Sequence, residues 1–243
     1  FSTEALVKEG VEQGVTAMAL TNINNTSDHW DFYELCKGAG IKALLGCEIR
    51  NDDDLLYILM AKSSAGVEQI NRLLTLHLQQ KKPFPARPQP VPDVWVVYPL
   101  GKQAPAELRD GELIGVQPAE VNLLYGLNTA AHPTKFVVRQ PVTFKDKKGY
   151  NLHRLLRAID KNILLSKQEA AHLGAPTETF ITPGHILSVF GQYPQVITNT
   201  LQLIEGCHYE VDFYTDKNKK VFTSSREDDR ILLQKLALDG MRF

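Results

Sequence analysis

Cysteine is scarce: the 243 residues hold three, Cys36, Cys47 and Cys207, an odd number, far apart and without C-x-x-C spacing. That excludes a disulfide framework and a zinc ribbon, and leaves reduced, partly buried thiols of the kind found in cytoplasmic proteins. No apolar run is long enough to cross a bilayer and no signal-peptide pattern is present, so no membrane partner is expected. Neither sign of charge prevails. The 27 lysines and arginines against 28 aspartates and glutamates leave a net charge of −1, so any contact with DNA needs a local patch. The nucleophile elbow G-x-S-x-G, the phosphate loop G-x-x-x-x-G-K and the dinucleotide motif G-x-G-x-x-G are all missing. The seven histidines (His29, His77, His132, His153, His172, His185, His208) never fall within four residues of one another. A metal site on one element is thereby excluded; one would have to be assembled from distant loops.

What is present is ordinary for a globular protein able to bury a large core, as one domain or two smaller ones. The chain opens at Phe1 rather than methionine and closes at Phe243 within a helical pattern, which reads as an excerpt from something longer. Ser2 or Thr3 caps a helix over about 4–13 with Leu6, Val7 and Val11 on its apolar face and Gly14 as its stop. A short apolar strand, 16–20, ends in the polar stretch Thr21-Asn22-Ile23-Asn24-Asn25-Thr26-Ser27. A helix near 29–38 (Phe32, Leu35, Cys36), strands at 42–49 and 55–61, and a helix over 66–79 (Val67, Ile70, Leu73, Leu74) follow. This alternation predicts an α/β architecture with a largely parallel sheet. Pro83, Pro85, Pro88, Pro90 and Pro92 are too dense for helix or central strand and predict an extended surface spacer. Strands are expected again at 94–98, 113–116 and 136–138, with a short helix at 118–125. Beyond Phe144 the pattern turns helical, with Leu152, Leu155, Leu156 and Ile159 along one face. Helices opened by Thr182-Pro183 and by Pro194 come next. A β-like piece at 209–214 precedes a final helix started by Ser225-Arg226-Glu227-Asp228.

Chemistry concentrates where buried strands end. In barrels of alternating strands and helices, the carboxyl ends of the strands carry the reactive groups. The loop after the first strand offers amides and hydroxyls but no carboxylate or imidazole before Asp28-His29. Glu48, following a buried strand, is the one well-placed carboxylate, and a single carboxylate holds a divalent metal weakly. His77 and His153 sit beside leucines and read as packing or surface residues. His132-Pro133, in a loop, is the least bland imidazole.

Two stretches, Ala17-Met18-Ala19-Leu20-Thr21-Asn22-Ile23-Asn24-Asn25 and Ala39-Gly40-Ile41-Lys42-Ala43-Leu44-Leu45-Gly46-Cys47-Glu48, resemble motifs that commonly read A-L-T-D-H-G-N and A-G-I-K-P-I-I-G-C-E. These belong to the polymerase-and-histidinol-phosphatase (PHP) domain, in the form carried by bacterial replicative DNA polymerase III alpha subunits. The likeness resumes at His153-Arg154-Leu155-Leu156-Arg157-Ala158-Ile159, at Phe190-Gly191-Gln192-Tyr193-Pro194-Gln195-Val196-Ile197-Thr198-Asn199-Thr200 and at Glu205-Gly206-Cys207. It ends at Leu232-Leu233-Gln234-Lys235-Leu236-Ala237-Leu238-Asp239-Gly240. About 80–135 is poorly matched.

The resemblance implies a distorted seven-stranded (β/α) barrel, its first strand missing from the excerpt together with an H-x-H metal motif. A PHP-like barrel over 1–144, a helical extension over 145–205 packing on it and a connector over 206–243 toward the polymerase palm are the expected parts. Metal-competent members bind up to three ions at the mouth and act as phosphoesterases or 3′–5′ exonucleases. Here the family's Asp-His corresponds to Asn22-Ile23, and its T-N-D-V-H to Arg139-Gln140-Pro141-Val142-Thr143. Asn22, Ile23, Pro141 and Thr143 are therefore vestigial metal-site positions, and Glu48 alone keeps a ligand type. The expected function is a structural domain of the polymerase, without tightly bound cofactor or catalytic residue of its own; Mg2+ would serve the downstream polymerase site. Partners would be the remaining polymerase domains and DNA, and through the parent a proofreading exonuclease subunit and a sliding clamp. Two alternatives stay open: an active phosphoesterase using Glu48 and His132, and a DNA-contacting module using Lys145, Lys147, Lys148 and the Lys217–Lys220 cluster.

Overall fold

A computed structural model describes residues 2–212, 215–216, 218 and 220–241. They form two compact units, 1–209 and 210–243. The first unit opens with helix α1 (Thr3–Glu12), in which the Ser2 side chain accepts the Ala5 amide at 3.3 Å. Its inward face differs from the expected one. Val11 is exposed, while Val7, Glu9 and Gly10 are buried, because Gly10 lets the helix rest against the Met18 sulfur where any Cβ would clash.

Strand β1 (Ala17–Ile23), helix α2 (His29–Gly38), strands β2 (Lys42–Asn51) and β3 (Asp54–Ala61), helix α3 (Ser64–Gln79) and strands β4 (Val94–Pro99), β5 (Glu112–Val116) and β6 (Phe136–Val138) follow. They build one curled, half-barrel sheet of six strands in the order β1 to β6. The sheet is largely parallel, with one reversal: β3 is antiparallel to both β2 and β4, and the other pairs are parallel, so five strands share one direction. Asn51 pairs with Asp54 across a two-residue turn, with Asp52 at φ 52°, and so short a connection permits only a hairpin.

No seventh strand occurs among the described residues. Helix α6 (Pro194–Glu205) serves the free edge of β6 instead. Thr200 Oγ1 accepts the Val138 amide at 2.8 Å, and Asn199 Nδ2 donates to Phe136 O at 2.9 Å and Pro133 O at 2.7 Å. Side chains thereby replace a missing ladder partner, which a buried edge requires.

Alternation along the strands sorts the core into layers. Leu45, Cys47, Ile49, Tyr57, Leu59 and Tyr98 meet Phe32, Cys36, Ile70 and Leu74 of α2 and α3 on one face. On the other face Leu44, Ile58, Met60, Val97, Leu113 and Val137 meet Leu203 and Cys207. Ile114, Val116 and Phe136 pack against Phe190 and Val196. The proline segment is more than a spacer. Phe84 is buried and trades two hydrogen bonds of 2.8 and 2.9 Å with the Asn51 amide. Arg87 pairs with the buried Glu112, which also takes the Tyr98 hydroxyl at 3.1 Å and the Arg109 amide at 2.8 Å. Burial pushes the Glu112 carboxyl up, but these donors outweigh it and hold the pKa below the usual value.

Helix α4 (Lys147–Asp160), started by Asp146 accepting the Gly149 amide at 2.9 Å, departs from expectation. Its stripe of Leu152, Leu155, Leu156 and Ile159 is 49–67% exposed. The helix is held instead through Ala158, the Phe144–His153 ring contact and an Arg157–Asp53 ion pair to the β2–β3 turn. Helix α5 (Pro183–Val189), capped by Thr182, leads to α6. Within the second unit, Ser225 accepts the Asp228 amide at 3.1 Å and starts α7 (Arg226–Gly240). No strand occurs at 209–212; the rest of the expected β-like piece, Phe213 and Tyr214, lies outside the described residues, as do Lys217 and Lys219.

Candidate functional site

Parallel pairing of β1 and β2 sets Asn22 beside Cys47 and Ile23 beside Glu48 at the carboxyl ends of the strands. By the two-residue period, Thr21, Gly46, Glu48, Gly115 and Arg139 project from the sheet face that carries Leu44, Met60 and Val97. The mouth is therefore built from β1, β2, β5 and the residue following β6.

The amide loop turns inward on itself. Asn22 Nδ2 donates to Ser27 O at 3.2 Å, and Asn25 Oδ1 accepts the Ser27 hydroxyl at 2.6 Å. Asn24, at φ 52°, closes two hydrogen bonds of 2.9 Å with the Arg50 backbone, tying the loop to β2. Ile23 is half exposed and offers no donor. These side chains hold the loop's shape, as short polar side chains do where no ladder continues.

Glu48 is not free. Both Nε (3.0 Å) and Nη2 (2.7 Å) of Arg50 donate to its Oε2, with 13% of the Glu48 side chain and 29% of the Arg50 side chain exposed. A second cation stands close by. The Arg139 stem crosses Gly115, where a Cβ would lie 2.9 Å from both Arg139 Cβ and Val97 Cγ1; only glycine leaves that path open. Arg139 Nε is shut off from solvent and has no hydrogen-bond partner among the described residues. Burial lowers the Arg139 pKa, opposed by the charges of Glu120, Glu48 and Glu178. Glu120 accepts the Gln117 amide at 2.8 Å, and Glu178 is bound to the Thr143 hydroxyl at 2.5 Å and the Ala175 amide at 3.0 Å.

Pro141 and Thr143 lie on the segment held by that same Glu178 region, with Gln140 Nε2 donating to Thr179 O at 2.9 Å. His132 precedes β6, and β6 runs parallel to β2, so His132 and Glu48 sit at opposite ends of the sheet. The structure does not bring them together. His29, at the start of α2, is buried with Nε2 2.8 Å from Gly46 O, and burial lowers its pKa. Lys145 is paired with Glu9 at 2.6 Å, whereas Lys147 and Lys148 stand exposed on the first turn of α4. Among the described residues, no three histidine, cysteine, aspartate or glutamate side chains form a group that could hold a metal ion.

Sequence reasoning missed Arg50 and Arg139. The signal for Arg50 was present in Glu48-Ile49-Arg50, since residues two apart share a strand face. Arg139 depends on Gly115, distant in sequence and adjacent only through β5–β6 pairing.

Residues 1–102 match the PHP domain family model. Over 274 aligned positions the chain is 22% identical to the DNA polymerase III subunit alpha of Halalkalibacterium halodurans, with 98% of this chain and 24% of that protein covered. The chain thus spans about a quarter of that relative's length. The α/β half-barrel with its strand-end mouth thus goes together with a similarity to the PHP domain family over residues 1–102, somewhat under half of the chain.

Proposed function

We propose that the chain is the PHP region of a replicative DNA polymerase III alpha subunit, and that its mouth has given up metal-dependent phosphoester hydrolysis for a structural role. The observation that carries this reading is the capture of Glu48 by Arg50. A two-metal hydrolytic site needs anionic or imidazole ligands to hold ions that position the attacking oxygen and stabilise the leaving one. Here the last carboxylate of the ligand set is neutralised by a guanidinium, and a second, partly buried guanidinium, Arg139, stands by the same mouth. Such a donor set does not fit a cluster of divalent ions.

The bracing role is supported by α4. Its exposed leucine stripe borders a groove of about 560 Å3 between α1 and α4, into which Leu152, Leu156 and Phe144 face. An apolar surface of this kind suits burial against other polymerase domains. DNA-directed nucleotide addition, its Mg2+, the exonuclease and clamp partners and a cytoplasmic location then belong to the parent polypeptide. Lys147 and Lys148, exposed on the first turn of α4, are the cations this reading offers to DNA from that helix.

Elemental analysis after purification without chelator, paired with an assay for nucleotide release from single-stranded DNA in added manganese or zinc, tests the reading. Metal well below one equivalent and no release are expected. Two or more retained ions, or metal-dependent release abolished by Glu48→Gln, would overturn it.

A further inference from the structure

At the end of the sheet opposite the mouth lies a cavity of about 260 Å3. Its walls are Tyr33 and Lys37 of α2, the Ile41-Lys42-Ala43 entry into β2, and Cys207-His208-Tyr209 beyond α6. The wall is pinned in place. Tyr209 Oη donates to Ala61 O at 2.7 Å and accepts the Leu45 amide at 3.0 Å, filling the β2–β3 ladder position where strand pairing ends. The His208 amide donates to Lys62 O at 2.7 Å, and the Tyr33 hydroxyl donates to Tyr209 O at 3.3 Å. The Tyr33 and Tyr209 rings meet edge-on at 6.2 Å.

The charge lining this cavity has one sign. Lys37 and Lys42 are cationic, His208 adds an imidazole, and no carboxylate is among the described lining residues. Burial pushes the Cys207 thiol up, so it is neutral. Lys42 Nζ gives one hydrogen bond to Glu205 O at 3.3 Å and retains two donors. The carbonyls ending α2 are occupied: Leu35 O and Cys36 O accept the Ala39 amide at 3.0 and 3.1 Å, and Cys36 O also accepts the Ile41 amide at 2.9 Å. The negative end of that helix is thus capped by its own chain.

We infer that this cavity binds a phosphomonoester dianion through Lys37, Lys42 and His208, set against a rigid tyrosine wall. The volume falls below the usual range for whole drug-sized ligands (about 300–1,000 Å3), which favours a phosphate headgroup. Free phosphate, a mononucleotide and a 5′-phosphorylated DNA end share this chemistry.

Calorimetry of the 243-residue chain with inorganic phosphate and with deoxyadenosine monophosphate, and fluorescence anisotropy with a short single strand bearing a 5′-phosphate or a 5′-hydroxyl, tests the inference. Saturable binding of at least one phosphomonoester is expected. Lys37→Gln and Lys42→Gln should each weaken it about tenfold, the loss of one charge-assisted hydrogen bond, and Lys37→Arg should retain it. An about tenfold preference for the 5′-phosphate strand over the 5′-hydroxyl strand would assign the site to a nucleic-acid end, and small-ligand binding alone would assign it to free nucleotide or phosphate. Thermal midpoints of the variants should match the parent. No saturable binding of inorganic phosphate, deoxyadenosine monophosphate or the 5′-phosphorylated strand, or binding unchanged in both lysine-to-glutamine variants, would overturn it.

Discussion

Removing Arg50 should cost stability without creating a metal site, and a double-mutant cycle with Glu48 measures how much. Glu48 and Arg50 are partly buried and joined through two donors on one oxygen, a geometry better than that of a mobile surface pair. Arg50→Met leaves a mostly buried carboxylate without its counter-charge, a change expected to cost about 1.5–3 kcal/mol. Glu48→Gln keeps the shape and one acceptor, so about 1 kcal/mol is expected. In the double variant no charge is stranded, and the two losses should fall short of additive by about 1 kcal/mol. For a chain of this size that coupling equals about 2–4 °C in thermal midpoint, within reach of calorimetry or urea denaturation. The same samples, scanned with and without manganese, give the second readout. Strict additivity would mean that the pair contributes nothing. A manganese-dependent rise in the parent's midpoint, lost in Glu48→Gln, would show Glu48 acting as a metal ligand and would refute the reasoning outright.

Asn199→Ala should destabilise by about 2–3 kcal/mol in urea denaturation, because it strips donors from two carbonyls, one in a fully buried hydrogen bond; a loss under about 0.5 kcal/mol would remove α6 as the keeper of the β6 edge. The lowered pKa of Glu112 predicts an acid limb: its contribution is complete above the usual carboxylate value of 4.5 and fades as pH falls through the lower folded value. The thermal midpoint should therefore fall from about pH 5 toward pH 3, less steeply in Arg87→Met or Glu112→Gln; Asp53, lowered chiefly by Lys161, adds to the same limb. Equal slopes in parent and variants would disprove the Glu112 contribution. Cys36 and Cys47, with thiols pushed by burial to about 11 and about 12, should resist a thiol reagent at pH 8 until the chain is unfolded; rapid modification of the native chain would contradict their packing.

Order and type of the sheet elements were legible because they depend on local signals. Apolar runs such as Ala43-Leu44-Leu45 and Tyr57-Ile58-Leu59 announce buried strands, and Phe32, Leu35 and Cys36 announce a helix face. Strand direction was less legible, since the reversal of β3 rests on a two-residue aspartate turn that resembles any polar loop. The α4 stripe misled for another reason. Periodicity says that a face is apolar, not what covers it, and here Leu152, Leu155, Leu156 and Ile159 face outward while Arg157 and Ala158 make the attachment. Phe84 and Arg87 were hidden among prolines, whose density describes the backbone and says nothing of the side chains between them.

At the mouth, the proposal that Asn22, Ile23, Pro141 and Thr143 stand at former ligand positions comes from the resemblance alone, and the charges that surround Glu48 could not be read from the sequence. A carboxylate such as Glu48 cannot stay mostly buried and ionised without a counter-charge. Two residues along the same strand face, Arg50 supplies it. Arg139 poses the converse problem: a partly buried guanidinium just beyond β6, its Nε shut off from solvent, with its neighbouring carboxylates committed to Arg50, Gln117, Thr143 and Ala175. Its access depends on Gly115 lacking a side chain one strand away. The sequence lists the side chains at these positions, whereas the Arg50–Glu48 pair and the passage of Arg139 over Gly115 need three-dimensional adjacency, and the proposed structural role rests on that adjacency.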